Sequence, residues 1–299
     1  MAQSKKTLIT HNGRFHADDI FACAALQILL DAQGEAYEII RTRDLDVIAT
    51  GDFVFDVGGE YDSETNRFDH HQQGRAGARE NGIFYSSLGL IWKSYGEAIS
   101  GSKEVAAIVE KNLVETIDAG DNGMETFTAI SNRPLPYLIQ NAFSAFMPTW
   151  KEEPKLATES FMKLSGWAKE ILEREIVKAK DLLEAENAVE EIYKNASDKR
   201  VLILPERYPW EELLLKYPEP LLVIVQPSSG GWKVEGVFKN QGSFERRMYL
   251  PEAWAGKLNE EMASASGVPD AIFCHNGRQL AVTHSKEGAL KLAELALQA

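Results

Sequence analysis

The chain has 299 residues, of which 44 % are hydrophobic and 26 % charged, the balance of a globular protein with length for one large or two ordinary domains. Its apolar stretches are too short to span a bilayer, and Met1 to Thr10 lacks the apolar core of a secretory signal, so a cytoplasmic protein with no membrane partner is expected. The formal net charge of -13 argues against broad, sequence-independent adhesion to nucleic acid, which needs basic surface. It does not exclude a nuclease, because carboxylates that hold divalent ions lose their negative field once the ions bind. The two cysteines, Cys23 and Cys274, stand in apolar runs without paired spacing, which argues against a disulfide framework or a cysteine zinc site.

The first third alternates short β-rich runs with helical patterns, which predicts an α/β fold with a parallel sheet and helices on both faces. Thr7 to Thr10 reads as a strand, Ile20 to Ala32 as an apolar helix, Tyr37 to Arg41 and Phe53 to Val57 as further strands, and Ser86 to Tyr95 and Lys103 to Asp118 as helices. Trp150 to Ala196 has helical spacing throughout and reads as a helical connector. Strand patterns return at Val201 to Leu204, Leu221 to Gln226 and Trp232 to Phe238. A domain of residues 1–197, connector included, and a smaller α/β domain of residues 198–299 are expected.

The six histidines fall in two zones, His11, His16, His70 and His71 near the start and His275 and His284 near the end. One histidine alone is more often a hydrogen-bonded core or surface residue than a ligand. These, however, stand beside Asp or Gly at the ends of predicted strands, where an open parallel sheet gathers its functional groups. His11 to Asp19 follows the first strand, Arg41-Thr42-Arg43-Asp44 the second, Asp56-Val57-Gly58-Gly59 the third, and Asp69-His70-His71 follows Arg67-Phe68. So many carboxylates and imidazoles at one edge repel and desolvate one another unless cations sit among them. A donor set of oxygen and imidazole nitrogen without thiolate suits manganese ahead of iron, cobalt, zinc or magnesium.

Glu115 to Gly123 closes a helical pattern. Asp118 and Asp121, three residues apart, share a face if the helix reaches them. Gly120, Asn122 and Gly123 are ordinary helix stop signals, but two aspartates at a helix C-terminus oppose the helix dipole.

Thr10-His11-Asn12-Gly13 with Phe15-His16-Ala17-Asp18-Asp19, Phe55-Asp56-Val57-Gly58-Gly59, Arg67-Phe68-Asp69-His70-His71-Gln72 and Glu115-Thr116-Ile117-Asp118-Ala119-Gly120-Asp121 together resemble the melanocyte proliferating gene family, a branch of the DHH phosphoesterase superfamily. The resemblance extends over nearly the whole chain, through Leu250-Pro251-Glu252-Ala253-Trp254 and Thr283 to Leu290. It implies a DHH-type catalytic domain with two divalent ions. One ion would take His11, His16 and Asp56; the other would take Asp18, Asp56, His70 and an aspartate of the fourth motif, with Asp56 as the bridge. His16 stands where the superfamily usually has an aspartate.

If residues 69 to 71 are extended, neighbouring side chains point to opposite sides, so His70 is assigned to metal, His71 to the substrate phosphate and Asp69 to orienting an imidazole. The resemblance further implies substrate binding by the C-terminal domain. There the turn His275-Asn276-Gly277-Arg278 and the helix start His284-Ser285-Lys286 offer a phosphate clamp, against the plainer reading of a hairpin and a capped helix. Arg246 and Arg247 are weaker candidates. The implied activity is 3′–5′ exonuclease action on RNA or short oligonucleotides. A phosphatase for pyrophosphate or a nucleotide phosphate and a non-catalytic nucleotide-binding regulator stay open. A two-fold homodimer is the general expectation for an enzyme of this size.

Overall fold

A computed structural model describes residues 5–128 and 132–299. Its contacts divide the chain into two compact units, Met1–Lys180 and Asp181–Ala299.

In the first unit, β1 (Lys6–Thr10), α1 (Ala17–Gln33), β2 (Tyr37–Arg41), α2 (Leu45–Ala49), β3 (Phe53–Phe55), β4 (Tyr61–Asp62) and β5 (Arg67–Phe68) are followed by α3 (Ser87–Ser100), α4 (Lys103–Val109), α5 (Glu115–Asp121), α6 (Ile139–Ser144) and α7 (Leu156–Asn195). The strands form one sheet in the order β2-β1-β3-β5-β4. The pairs β1 to β2, β1 to β3 and β3 to β5 are parallel, and β4 closes the edge antiparallel to β5. Ile9 and Val54 bury one face against Ile48 and Val57 around α2. Leu8 points the other way, towards α1, whose run from Ala17 to Leu26 is buried almost without interruption. The expected α/β sheet with helices on both faces is therefore formed, with an antiparallel edge strand added.

The parallel register decides where the site lies. Ile9 pairs with Val54 and Phe55 with Phe68, so His11, two residues beyond Ile9, leaves the sheet at the same edge as Asp56 and Asp69, one residue beyond Phe55 and Phe68. β3 ends at Phe55 rather than at Val57 because Asp56 turns into the left-handed region, φ 55°, which no strand residue occupies. A bulky residue seldom accepts that conformation, and it concentrates at functional sites.

The helix pattern from Lys103 onward is interrupted by a wider π turn over Glu110–Val114 before α5 begins, a feature often found near functional sites. In α7, Phe161, Leu164, Ala168, Leu172 and Ile176 are buried in a stripe at helical spacing.

The second unit contains β6 (Val201–Leu204), α8 (Trp210–Leu213), β7 (Leu222–Val225), β8 (Trp232–Gly236), α9 (Asn259–Ser266), β9 (Ala271–Cys274), β10 (Leu280–Thr283) and α10 (Lys286–Gln298). Its sheet runs β6-β7-β8-β10-β9, parallel only between β6 and β7. One side holds Leu222, Ile224, Val234 and Trp254 with Leu292 of α10. The other holds Leu202, Leu204, Val223 and Trp210 together with Ala185, Val189 and Tyr193 from the end of α7. Those last turns of α7 belong to the core of the second unit, which moves the boundary from the expected 197 to 180/181. Among the described residues no helix is long and apolar enough to cross a membrane.

Candidate metal centre

His11 follows β1 directly, and its loop is pinned by Arg41 at the end of β2, which donates to the carbonyls of His11 (3.1 Å) and Gly13 (3.0 Å). His16 caps the start of α1, its N–H donating to Asp19 Oδ1 at 2.9 Å. Asp18 and Asp19 occupy the first turn, where the helix dipole favours negative charge. Across the sheet edge His11 Nε2 lies 3.0 Å from Asp56 Oδ2 and 3.2 Å from Asp19 Oδ2. The Ser87 hydroxyl donates to Asp56 Oδ1 at 3.1 Å.

The third corner comes from the segment after β5 and from the end of α5. His70 Nε2 is 3.3 Å from Asp56 Oδ1, 3.3 Å from Asp121 Oδ2 and 3.9 Å from Asp18 Oδ2. Three groups have potential ligand atoms all within 4.8 Å of one another: His11, His16 and Asp56; Asp56, His70 and His71; His16, Asp18 and Asp121. Asp56 and His16 each belong to two of them, so the three groups form one continuous constellation. It opens into a cleft of about 400 Å³ lined by His11, Asp56, Asp69 and His71 with Arg14 and Arg43.

The electrostatics of the chain alone leave this constellation unsatisfied. Asp18 and Asp19 are fully buried and Asp56 nearly so. Both oxygens of Asp18 have no hydrogen-bond partner, and Oδ2 of Asp19 and Nε2 of His70 have only the imidazole–carboxylate approaches just given. Burial, followed by the charges of Asp56, Asp121 and Asp19, pushes the Asp18 carboxyl well above the usual range. Burial raises Asp56 too, but the imidazoles of His11 and His70 outweigh it and hold its carboxyl below the usual range. Burial works against a charged His11, yet Asp19 and Asp56 raise its pKa to about 10. Uncompensated buried carboxylates cost several kcal/mol each on the order of the transfer penalty for charge. Divalent cations coordinated by these atoms remove that cost, so the residues fit metal ions.

Asp69 is arranged to orient its neighbour. Its Oδ1 accepts from the backbone of His70 (2.8 Å) and His71 (3.1 Å) and lies 2.8 Å from His71 Nδ1, while Oδ2 accepts from Gly59 N–H at 2.6 Å. The hydrogen bond to Asp69 raises the His71 pKa. The expectation that His70 and His71 point apart is not met: their ring centroids are 4.3 Å apart. β5 stops at Phe68, so the strand alternation behind that expectation ends before the histidines begin.

Asp118 is not in the constellation. It is buried in a pocket of its own, accepting from Ser86 Oγ (2.5 Å) and Gly89 N–H (3.1 Å), with Arg79 Nη1 2.7 Å away. Burial lifts its carboxyl to about 6 even against Ser86 and Arg79. Arg79 also pairs with Glu110, at 2.8 Å.

The C-terminal candidates part company. Arg246 is buried, donating to Gly236 O (2.9 Å) and Glu235 Oε1 (3.1 Å) over the Phe238 ring. Arg247 donates to the carbonyls of Tyr217 (2.5 Å), Pro220 and Leu214. Both hold the fold together rather than presenting charge to a substrate. The turn with His275, Gly277 and Arg278 lies at one end of β10, and His284 and Lys286 lie at the other. Four strand residues separate them by about 13 Å, so they do not form one clamp. The start of α10 is already filled, because Asp270 Oδ2 accepts from Ser285 N–H at 2.8 Å and from its hydroxyl at 2.5 Å. In the turn, His275 Nδ1 accepts from Gly277 N–H at 2.9 Å, and Arg278 retains one long contact, 3.4 Å, to Leu250 O.

Asp19, Ser87, Arg14 and Arg43 are the site-lining residues that sequence reasoning did not assign. Asp19 had a signal in its place beside Asp18. Arg14 and Arg43 stand in the two loops already singled out, where they pass for surface charge.

The family model described as MYG1_exonuc, Uncharacterised protein family (UPF0160), matches residues 7–297. The chain belongs to this MYG1 family. It is 32 % identical to the human MYG1 exonuclease over 327 residues, covering 96 % of this chain and 85 % of that one. It is 31 % identical to the rat MYG1 exonuclease, over 96 % of this chain and 84 % of the relative. A MYG1 protein of Saccharomyces cerevisiae is 30 % identical over 99 % and 97 % of the two chains. Among solved structures, RecJ of Thermus thermophilus in complex with Mn2+ is similar at a TM-score of 0.30 and 12 % identity, over 99 % of this chain and 53 % of that chain. Exonuclease RecJ bound to manganese is similar at 0.28 and 13 % identity, over 99 % and 90 %.

Proposed function

We propose that the protein is a metal-dependent phosphoesterase that acts as a 3′–5′ exonuclease on RNA or short oligonucleotides. The observation that carries this reading is the convergence of three potential ligand groups at one sheet edge, with Asp56 shared between two of them. Membership of a family whose mammalian relatives are named exonucleases supports it. One divalent ion is assigned to His11, His16 and Asp56, and a second to Asp18, Asp56, His70 and Asp121. The oxygen and imidazole donors, with no thiolate among them, favour manganese. Bound there, divalent ions supply Lewis acidity, activating water and neutralising charge on the transferring phosphate.

The chain's own groups hold the rest of the arrangement. Ser87 and His11 fix the two oxygens of Asp56, and Asp19 fixes His11 and the turn at His16. Asp69 grips His71 through Nδ1, leaving Nε2 of a largely exposed ring to meet a substrate phosphate. Because Asp69 raises its pKa, His71 keeps a positive charge to higher pH than a free imidazole does.

Three substrates separate the readings: a chromogenic phosphodiester, inorganic pyrophosphate and a short RNA labelled at either end, each with and without manganese. Manganese-dependent shortening of the RNA from its 3′ end is the expected result. Turnover of pyrophosphate alone selects the small-molecule phosphatase, and binding without turnover selects the regulator.

A further inference from the structure

Several arginines in the first unit are already committed. Arg41 holds the carbonyls of His11 and Gly13, Arg67 those of Gly51 and Thr65, and Arg79 faces Glu110 and Asp118. Arg14 and Arg43 are different. Both are exposed, both line the cleft over the metal constellation, and neither has a hydrogen bond or ion pair among the described residues. Arg43 also lies close enough to Arg41 to disfavour its charge, second to burial and against Asp19 and Cys23. Uncommitted guanidiniums at the mouth of an acidic cleft, on a chain of net charge -13, attract anions to the one place where its carboxylates are set to be neutralised.

A second cleft of about 310 Å³ lies on the other side of Arg14 and His16. Its opposite wall is neutral: Gln140, Asn141 and Ser144 of α6, with Asp121 beside them. Gln140 Nε2 donates to Thr116 O at 3.3 Å, and its Oε1 is buried without a partner. A buried amide oxygen without a donor is costly and awaits one. One cleft is thus cationic at its rim and the other uncharged on its far wall, and His16 lines both.

Resting on the phosphoesterase reading, we propose that Arg14 and Arg43 clamp the phosphate of the nucleotide next to the bond that is cut, while the cleft under Gln140, Asn141 and Ser144 receives the sugar and base on the other side. Arginine forks grip phosphate oxygens bidentately, and amide and hydroxyl groups suit a nucleoside's neutral donors and acceptors. The substrate class is therefore a single-stranded oligonucleotide with at least two phosphates, rather than an isolated phosphate ester.

The test uses full-length manganese-loaded protein and a fluorescein-labelled RNA pentamer with phosphorothioate linkages that slow its cleavage. Fluorescence anisotropy at several salt concentrations gives affinity and its salt slope, and metal analysis accompanies every variant. Arg14→Gln and Arg43→Gln each weaken binding about tenfold and flatten the log-affinity against log-salt slope by about 0.7 for each phosphate charge left unneutralised. Arg43→Lys restores the slope but only part of the affinity, because a point charge replaces a fork. Wild-type affinity and slope in both glutamine variants, or no RNA binding by the wild type, overturn the clamp. Arginine-dependent binding by a protein that cleaves neither RNA nor a chromogenic diester leaves the clamp standing and overturns the hydrolase reading. Cleavage that ignores both arginines does the reverse.

Discussion

Arg79 Nη1 lies 2.7 Å from Asp118 Oδ2, and that pair separates two aspartates which the sequence offers as equals. Asp118 is enclosed by Ser86, Gly89 and Arg79, whereas Asp121 faces His16, Asp18 and His70. Replacing the two has different expected outcomes. Asp118→Asn retains metal and loses about 1–3 kcal/mol of stability, because it sets an amide N–H2 among the donors of Ser86, Gly89 and Arg79 and leaves a buried donor unpaired. Asp121→Asn unfolds at nearly the wild-type denaturant midpoint when metal-free but loses manganese affinity and activity, by about a hundredfold, as groups that shape a metal site do. Denaturant titration and metal analysis of both variants check this. Metal loss in Asp118→Asn with retention in Asp121→Asn would reverse the assignment.

The same pocket makes a demand on α3. A Cβ at Gly89 would collide with the Asp118 carboxylate, and the close approach lets Gly89 N–H reach Oδ1. Gly89→Ala forces the helix and the carboxylate apart and costs about 1–3 kcal/mol as an overpacked core does, although alanine is the better helix former. A melting temperature at or above that of the wild type would show that the pocket has room to spare.

The strand ends and motif loops were readable because a parallel sheet with right-handed connections leaves few places for them. Tyr37–Arg41 and Val201–Leu204 have the bounds expected of them, and His11, Asp56 and Asp69 meet at one edge. What depended on neighbours distant in sequence was not readable. Helical spacing places Asp118 and Asp121 alike, and only the position of Arg79 and the path through the π turn tell them apart. Arg246 looks like surface charge until β8 brings Glu235 and Gly236 beside it. His70 and His71 alternate only if the strand continues, and hydrogen bonds to Asp69 end it.

Asp56 and Asp44 both follow a strand, but Asp44 Oδ1 accepts from Asp46 N–H at 3.0 Å and caps α2. Asparagine caps a helix about as well as aspartate, so Asp44→Asn changes stability by a few tenths of a kcal/mol, roughly, and leaves turnover within about twofold. Asp56→Asn touches two of the three ligand groups at once and lowers metal-dependent turnover by about a hundredfold or more. Equal losses in the two variants with metal content intact would remove Asp56 from its bridging position.

His71 provides a pH signature. Asp69 raises its pKa first by the hydrogen bond to Nδ1, so the ring proposed to meet the phosphate keeps its charge as pH rises and loses it only above the ordinary histidine range. In Asp69→Asn the charge that raises it is gone, and KM should climb at lower pH than in the wild type. The profile of KM against pH for a chromogenic phosphodiester reads this directly. An unshifted profile would mean that His71 does not contact the phosphate.

Without metal, Asp18 is a burden on the fold. Asp18 is fully buried, neither of its oxygens has a partner, and burial with three neighbouring aspartates raises its pKa well above 3.8. A carboxyl raised in the folded state contributes stability that is fully present below its unfolded pKa and lost as pH rises through the folded one. Metal-free protein should therefore gain stability from this group as pH falls from neutrality towards 3.8. Asp18→Asn removes the titration, so the metal-free variant should be more stable than the wild type at neutral pH and flatter across that window. Manganese should reverse the order. An ion held only by the folded state adds about 2.7 kcal/mol at a hundred times its dissociation constant, and the variant has surrendered one of its ligands. Thermal melts of both proteins across pH, with chelator and with manganese, provide the four curves. A metal-free Asp18→Asn less stable than the wild type at neutral pH would show that Asp18 has a compensating partner in the chain itself, and the case for a cation beside it would fall.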